Sequence, residues 1–125
     1  MKLFFDTETT GKADFRSPPD APHQPRIVQL AALLTTFDGQ ELGSLNVIIK
    51  PDGFTIPKEA SDIHGITTEL ALAYGVQEIA AFHVFDQLLT NCGVAVAHNF
   101  DFDLFMLSRG SNRRNGELSR RGFCT

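Results

Sequence analysis

The stretch KLFFDTETTG, residues 2–11, decides how this chain is to be read. A short apolar run ends in an acid, as a buried strand delivering its last residue to a sheet edge would, and Gly11 closes the segment. Asp6 and Glu8 stand one residue apart. Side chains alternate faces along a strand, so both carboxylates point the same way if the extended conformation persists through Thr7. Like charges crowded together destabilise a fold unless something neutralises them, and a divalent cation is the usual agent. Oxygen ligands suit hard cations such as Mg²⁺ or Mn²⁺, and the thiolate or imidazole pairs that favour zinc are missing from this stretch. Taken alone, a D-x-E pair equally fits an ordinary turn cap.

Outward from this strand, residues 12–25, KADFRSPPDAPHQP, carry four prolines in fourteen positions. That density forbids regular structure and predicts a long loop, either a lid or a disordered connector. The run RIVQLAALLTTF at 26–37 and SLNVIIK at 44–50 predict an antiparallel hairpin turning through Asp38-Gly39. Pro57 suits a first helical turn and Gly65 a helix break, so short helical pieces flank His64. In residues 76–91, Ile79, Phe82, Phe85, Leu88 and Leu89 predict a helical stripe packed on the sheet. Gly93 ends that helix, and VAVA at 94–97 is a brief strand. It leads into HNFDFDLFML, where Asn99 or Asp101 can cap a helix beginning near residue 101. Strand, hairpin, helices, strand and helix add up to an α/β domain with a mixed sheet.

The totals agree with one domain. The chain has 125 residues, 42% of them hydrophobic, and eleven phenylalanines supply core material; a chain of that size buries roughly two-thirds of its unfolded surface. The net charge of −4 gives no global positive field, so a polyanionic partner needs bound cations or a local arginine cluster. Cys92 and Cys124 have no metal-ligand spacing and make no disulfide framework. No signal peptide and no apolar run of membrane-spanning length is read, so a reduced, cytoplasmic setting with no membrane partner is expected.

The second chemical motif is HNFDFD at 98–103. A strand-to-helix junction there puts Asp103 on the first helical turn, near the sheet edge where Asp6 emerges, so three acids can converge. The same residues would also serve as helix caps and as negative charge at the helix N-terminus.

DTETTG near the N-terminus, HGIT at 64–67 and HNFDFD about ninety residues after the first motif together resemble the DEDD superfamily of 3'-5' exonucleases, and within it the DnaQ-like proofreading enzymes. The resemblance covers nearly the whole chain and implies a ribonuclease H-like mixed sheet flanked by helices. It implies that Asp6, Glu8 and Asp103 are catalytic residues holding two Mg²⁺ or Mn²⁺ ions, with Asp6 bridging them. The reaction would be hydrolysis of the 3'-terminal phosphodiester, releasing nucleoside 5'-monophosphates. The substrate is expected to be a single-stranded DNA 3' end, with a DNA polymerase or repair complex as partner; an oligoribonuclease-like preference for RNA stays open. Thr9, Thr10, His64, Ile66, His98, Asn99 and Phe100 are expected around the terminal nucleotide. His98 alternatively anchors the junction, Phe100 either stacks on a base or packs, and Phe102 packs.

The family's third motif, a histidine or tyrosine followed by a fourth acid, should come some tens of residues after the second. Beyond Asp103 the chain has no Asp, His or Tyr, and Glu117 is the single acid. The reading is therefore of one incomplete exonuclease domain over residues 1–125, with GFCT beginning the next strand and the C-terminal part missing. Weak or absent activity is expected. The alternative is a non-catalytic nucleic-acid- or polymerase-binding module that uses Arg109, Arg113, Arg114, Arg120 and Arg121, which otherwise read as a solvated loop.

Overall fold

The computed structural model describes residues 1–124, apart from the side chains of Asn112, Phe123 and Cys124; Thr125, the last residue of the GFCT expectation, lies outside the described residues. The elements run β1 (Lys2–Thr9), β2 (Ile27–Thr35), β3 (Glu41–Ile48), α1 (Lys58–His64), α2 (Thr68–Tyr74), α3 (Glu78–Asn91), β4 (Val94–Ala97), α4 (Phe100–Leu107), α5 (Asn112–Arg121) and β5 (Gly122–Cys124). The strands form one mixed sheet in the order β3-β2-β1-β4-β5. β1 is its central strand, antiparallel to β2 and parallel to β4, and β5 runs parallel to β4.

Period-two alternation in β1 places Leu3, Phe5 and Thr7 on a buried face and leaves Phe4 and Asp6 exposed. On the buried face Leu30, Ala32 and Leu34 of β2 join Leu3 and Phe5. Phe82, Phe85 and Leu89 of α3, Met106 and Leu107 of α4, and Leu118 of α5 complete that core. Its rings meet edge to face, with Phe5 5.7 Å from Phe85. A smaller cluster joins Val28 of β2 to Ile56, Ala60, Ile66 and Ala71, so α1 and α2 dock at the end of the hairpin.

The hairpin turns as expected, with Gly39 at φ +98°, although β3 begins at Glu41 rather than Ser44. Gly65 closes α1 in the left-handed region at φ +79°. Gly75 is required by close approach: a Cβ there would lie 2.5 Å from Lys50 N and 2.4 Å from Ala71 O.

Three expectations about the helices are corrected. Ile79 is 76% exposed and leaves the α3 stripe. At about 100° per residue, steps of three drift backwards, which carries Ile79 some 120° from Phe85. The true face centres on Phe85, with Ala81, Phe82 and Leu89 buried beside it. Neither Asn99 nor Asp101 caps α4 with its side chain; Asn99 takes the N-cap position with φ −116° and ψ 66°, outside the extended region from which a cap oxygen reaches back. Residues 112–121 form helix α5 rather than a solvated loop. Ser111 accepts a hydrogen bond from Arg114 N at 3.1 Å, Leu118 is fully buried, and Arg114 is buried with it.

The buried guanidinium is satisfied. Nε and Nη2 of Arg114 donate to the two Asp86 carboxylate oxygens at 2.6 and 2.9 Å, and Nη1 donates to Leu107 O at 2.8 Å. The same group stacks over Phe82 at 4.3 Å. Arg121 donates to the carbonyls of Leu89 and Cys92 at the end of α3. These arginines fasten α5 to α3 and carry it into β5.

The proline-rich loop is organised, which corrects the disordered alternative. The buried Gln24 amide donates to Asp14 O, Ser17 O and Pro18 O, and its oxygen accepts from Asp14 N. The Asp14 carboxylate accepts from Arg16 N and Ser17 Oγ and pairs with His23, and these bonds hold its pKa below the usual carboxylate value.

Candidate active site

β1 and β4 run in parallel with Phe4 opposite Val96, so β4 ends just short of the level of Asp6, and HNFDFD follows at the height of the acidic pair. α4 then delivers Asp103 to the buried face. Thr7, between the two acids, donates a 2.6 Å hydrogen bond to Asp103 Oδ1. This buried bond ties the first motif to the second across 96 positions of sequence.

Asp103 is fully buried and its Oδ2 has no hydrogen-bond partner among the described residues. Its pKa is pushed up to about 6, chiefly by burial, with the Thr7 bond opposing and the negative charges of Asp6 and Glu8 adding to the rise. Asp103 therefore feels both acids of the first motif. The three carboxylates do not form a ready-made cage: among the described residues, no group of three or more His, Cys, Asp or Glu side chains is close enough to hold a metal ion. The alternation that aligns Asp6 with Glu8 turns Thr7, to which Asp103 is bonded, toward the opposite face. The donor set still suits a hard cation, because it is all carboxylate oxygen and one oxygen is buried with its lone pairs unused.

The other expected residues have distinct places. Thr9 Oγ1 donates to Gly11 O, while Thr10 Oγ1 accepts from Arg26 N and keeps its own proton to donate. His64 Nδ1 accepts from Ile66 N at 3.1 Å, which assigns the proton to Nε2 in the neutral ring. Among the described residues that buried Nε2 has no partner, so it is a donor awaiting an acceptor. Ile66 is itself buried in the smaller cluster. His98 and Asn99 are exposed on the β4–α4 junction. The Phe100 ring lies 5.8 Å from Phe5, edge to face, and seats on Gly122, where a Cβ would fall 1.9 Å from its Cζ. The packing alternative for Phe100 is therefore realised, and Phe102 also packs on the core. Sequence reasoning missed Thr7, although a hydroxyl between two outward acids on a strand had to face inward.

This mixed sheet, with an acidic pair on its central strand and a third acid at the neighbouring strand-to-helix junction, is the ribonuclease H-like α/β architecture of nucleases. Exonuclease I of E. coli in complex with a dT13 oligonucleotide superposes with a TM-score of 0.69 at 28% identity, covering 85% of this chain and 22% of that one. The metal-free E. coli Exonuclease I–single-stranded DNA complex gives 0.72 at 23% identity over 98% of this chain and 27% of that one. Exonuclease I of Methylocaldum szegediense gives 0.69 at 20% identity, covering 91% and 26%. The chain thus spans about a quarter of the length of these enzymes. No curated protein sequence matches it significantly. The RNase T model, described as "Exonuclease", matches residues 3–116, and the chain belongs to this exonuclease family. Among the described residues, no helix is long and apolar enough to cross a membrane.

Proposed function

We propose that this chain is the nuclease unit of a 3'-5' exonuclease that hydrolyses the terminal phosphodiester of single-stranded DNA, with Asp6, Glu8 and Asp103 holding Mg²⁺ or Mn²⁺. The observation that carries the reading is Asp103: a carboxylate made more basic chiefly by burial, with the two acids of the first motif adding to the rise, bonded to the Thr7 that separates those acids, and with one oxygen unpartnered among the described residues. A paired hard cation would supply water activation and charge neutralisation at the scissile phosphate. Single-stranded DNA as substrate rests on the oligonucleotide complexes of E. coli Exonuclease I.

The residues of the chain divide the remaining work. Thr7 holds one Asp103 oxygen through its hydroxyl and leaves the second to serve as the oxygen that would ligate a cation. His64 Nε2–H donates to an oxygen of the terminal sugar or phosphate, and the Thr10 hydroxyl offers a second proton near the end of β1. His98 and Asn99 border the strand end from the β4–α4 junction, Thr9 shapes the turn beneath it, Ile66 backs His64, and Phe100 seats the junction. Residues 104–125 contribute no histidine or aspartate as general base, and Glu117 is committed to Arg120 and Arg121. Loss of such a base lowers a rate by about 10² to 10⁴, so residues 1–125 by themselves cleave slowly.

The test is release of mononucleotides from a 3'-labelled single strand at high protein concentration with Mn²⁺ or Mg²⁺. Slow, cation-dependent release that disappears in Asp6→Ala, Glu8→Ala and Asp103→Ala is the expected result. Cleavage that persists in all three variants, or no cleavage when the chain is supplied with the remainder of an Exonuclease I-type domain, rejects the assignment.

A further inference from the structure

The loop after the first motif presents an aromatic ring to solvent on a fixed support. Phe15 is 60% exposed, yet the segment that carries it is pinned by Gln24 and Asp14 and lies against α4. Its ring meets Phe105 edge to face at 5.0 Å, and Arg109 Nη1 donates to Pro19 O at 3.3 Å on the same side. Between loop and helix runs an open cleft of about 430 Å³, lined by Phe15, Pro19, Leu104 and Phe105, with Asp101, Ser108 and Asn115 as its polar members.

Charge is arranged around this apolar floor. The Asp14 carboxylate is occupied by three hydrogen bonds within the loop, and the Arg16 guanidinium stands 3.8 Å from it with its side chain 97% exposed. Arg16 follows the lining residue Phe15 directly in the chain with its charge open to solvent, and Arg109 is bonded to the carbonyl of the lining residue Pro19. Asp101 and Asn115 offer an acceptor and an amide to the edge of a ring lying between them. The cleft is next to both chemical motifs along the chain: Phe15 follows Gly11 of DTETTG by four residues, and Asp101 precedes Asp103 by two.

We propose that the Phe15–Phe105 cleft is a stacking subsite for an unpaired nucleobase upstream of the cleaved bond, with Arg16 on the adjoining backbone phosphate. An aromatic platform beside a cation is the arrangement by which proteins hold single strands without reading their sequence. A rigid platform suits this work because little conformational entropy is lost when the base arrives. The inference rests on the single-strand nuclease reading and adds to it a place where the body of the strand is held.

The experiment is fluorescence anisotropy of the full chain with 5'-labelled oligothymidylates of increasing length, in Ca²⁺, together with a set carrying one abasic position moved along the strand. The wild type should tighten with length and lose affinity at one abasic position. Phe15→Ala should bind about 5- to 100-fold more weakly and no longer sense that position. Phe15→Trp should retain affinity, while Phe15→Leu, which keeps the apolar contact with Phe105, should fall with Phe15→Ala. Arg16→Gln should weaken binding less and reduce its salt dependence. Equal binding by wild type and Phe15→Ala, or full affinity in Phe15→Leu with native circular dichroism, overturns the subsite while leaving the nuclease reading standing. No binding of single strands by the wild type overturns both.

Discussion

Replacing Asp103 by Asn tests the electrostatic account of the site without any assumption about turnover. The folded-state pKa of about 6 lies above the ordinary 3.8. A raised acid means that the folded state holds its proton more tightly than the unfolded chain does. The protein is therefore most stable below pH 3.8 with respect to this group, and loses stability as pH rises from there through about 6. Each pKa unit is worth about 1.4 kcal/mol, so the burial of charged Asp103 costs roughly 3 kcal/mol at pH 8 without a cation. Asparagine removes the charge, and its oxygen can still accept the Thr7 hydroxyl proton. Its amide nitrogen gains no evident acceptor, which returns about 1 kcal/mol of that relief. Asp103→Asn should thus be more stable than wild type by about 1–3 kcal/mol at pH 8 in EDTA, with the difference shrinking toward zero near pH 4. Urea unfolding across pH 4–8 measures it. A difference independent of pH, or a variant less stable than wild type at pH 8, would refute the reasoning.

Other perturbations reach separate parts of the structure. Thr7→Val removes the hydroxyl hydrogen bond, the largest of the effects that oppose the rise at Asp103; it should cost about 1–2 kcal/mol in metal-free unfolding and weaken cation binding. Arg114→Leu strips Asp86 and the Leu107 carbonyl of their donor. Because Asp86 is partly exposed, the loss should be about 2–4 kcal/mol rather than the full cost of breaking a buried pair, with α5 exchanging amide hydrogens first. Gln24→Ala should make residues 12–25 cleavable by protease at concentrations that spare the wild type, since the amide spans three loop carbonyls. His64→Ala should raise the KM for single strands by about 5- to 10-fold, the value of one hydrogen bond, with thermal stability nearly unchanged.

The arrangement of the sheet was legible because it follows from alternation. In β1 the period of two put Asp6 and Glu8 on one face, and HNFDFD could only follow β4 as a junction beside it. Helix α5 was illegible for a definite reason. Its buried face is Arg114, Leu118 and Arg121, and a hydrophobic pattern counts arginine as polar even when its guanidinium is enclosed by Asp86, Phe82 and backbone carbonyls. The order within residues 12–25 was hidden for a similar reason, since the prolines forbid regular structure but say nothing about one glutamine amide bonding to four backbone groups. Ile79 failed because three-residue steps resemble a stripe over one turn and precess away from it over two. The expected meeting of three acids was half visible: the electrostatic coupling exists, but Asp103 is bonded to the residue between the other two and turns with it.

The central claim is that Asp6, Glu8 and Asp103 act together on a divalent cation. Isothermal titration of Mn²⁺ into the metal-free chain tests it most directly, alongside Asp6→Asn, Glu8→Gln and Asp103→Asn. The account predicts saturable binding by the wild type, weakened at least tenfold in each variant, with binding to the wild type strengthening as pH rises through about 6 and levelling off above it. Wild-type protein that takes up no Mn²⁺, or an Asp103→Asn variant that binds it as tightly as wild type, would contradict the account.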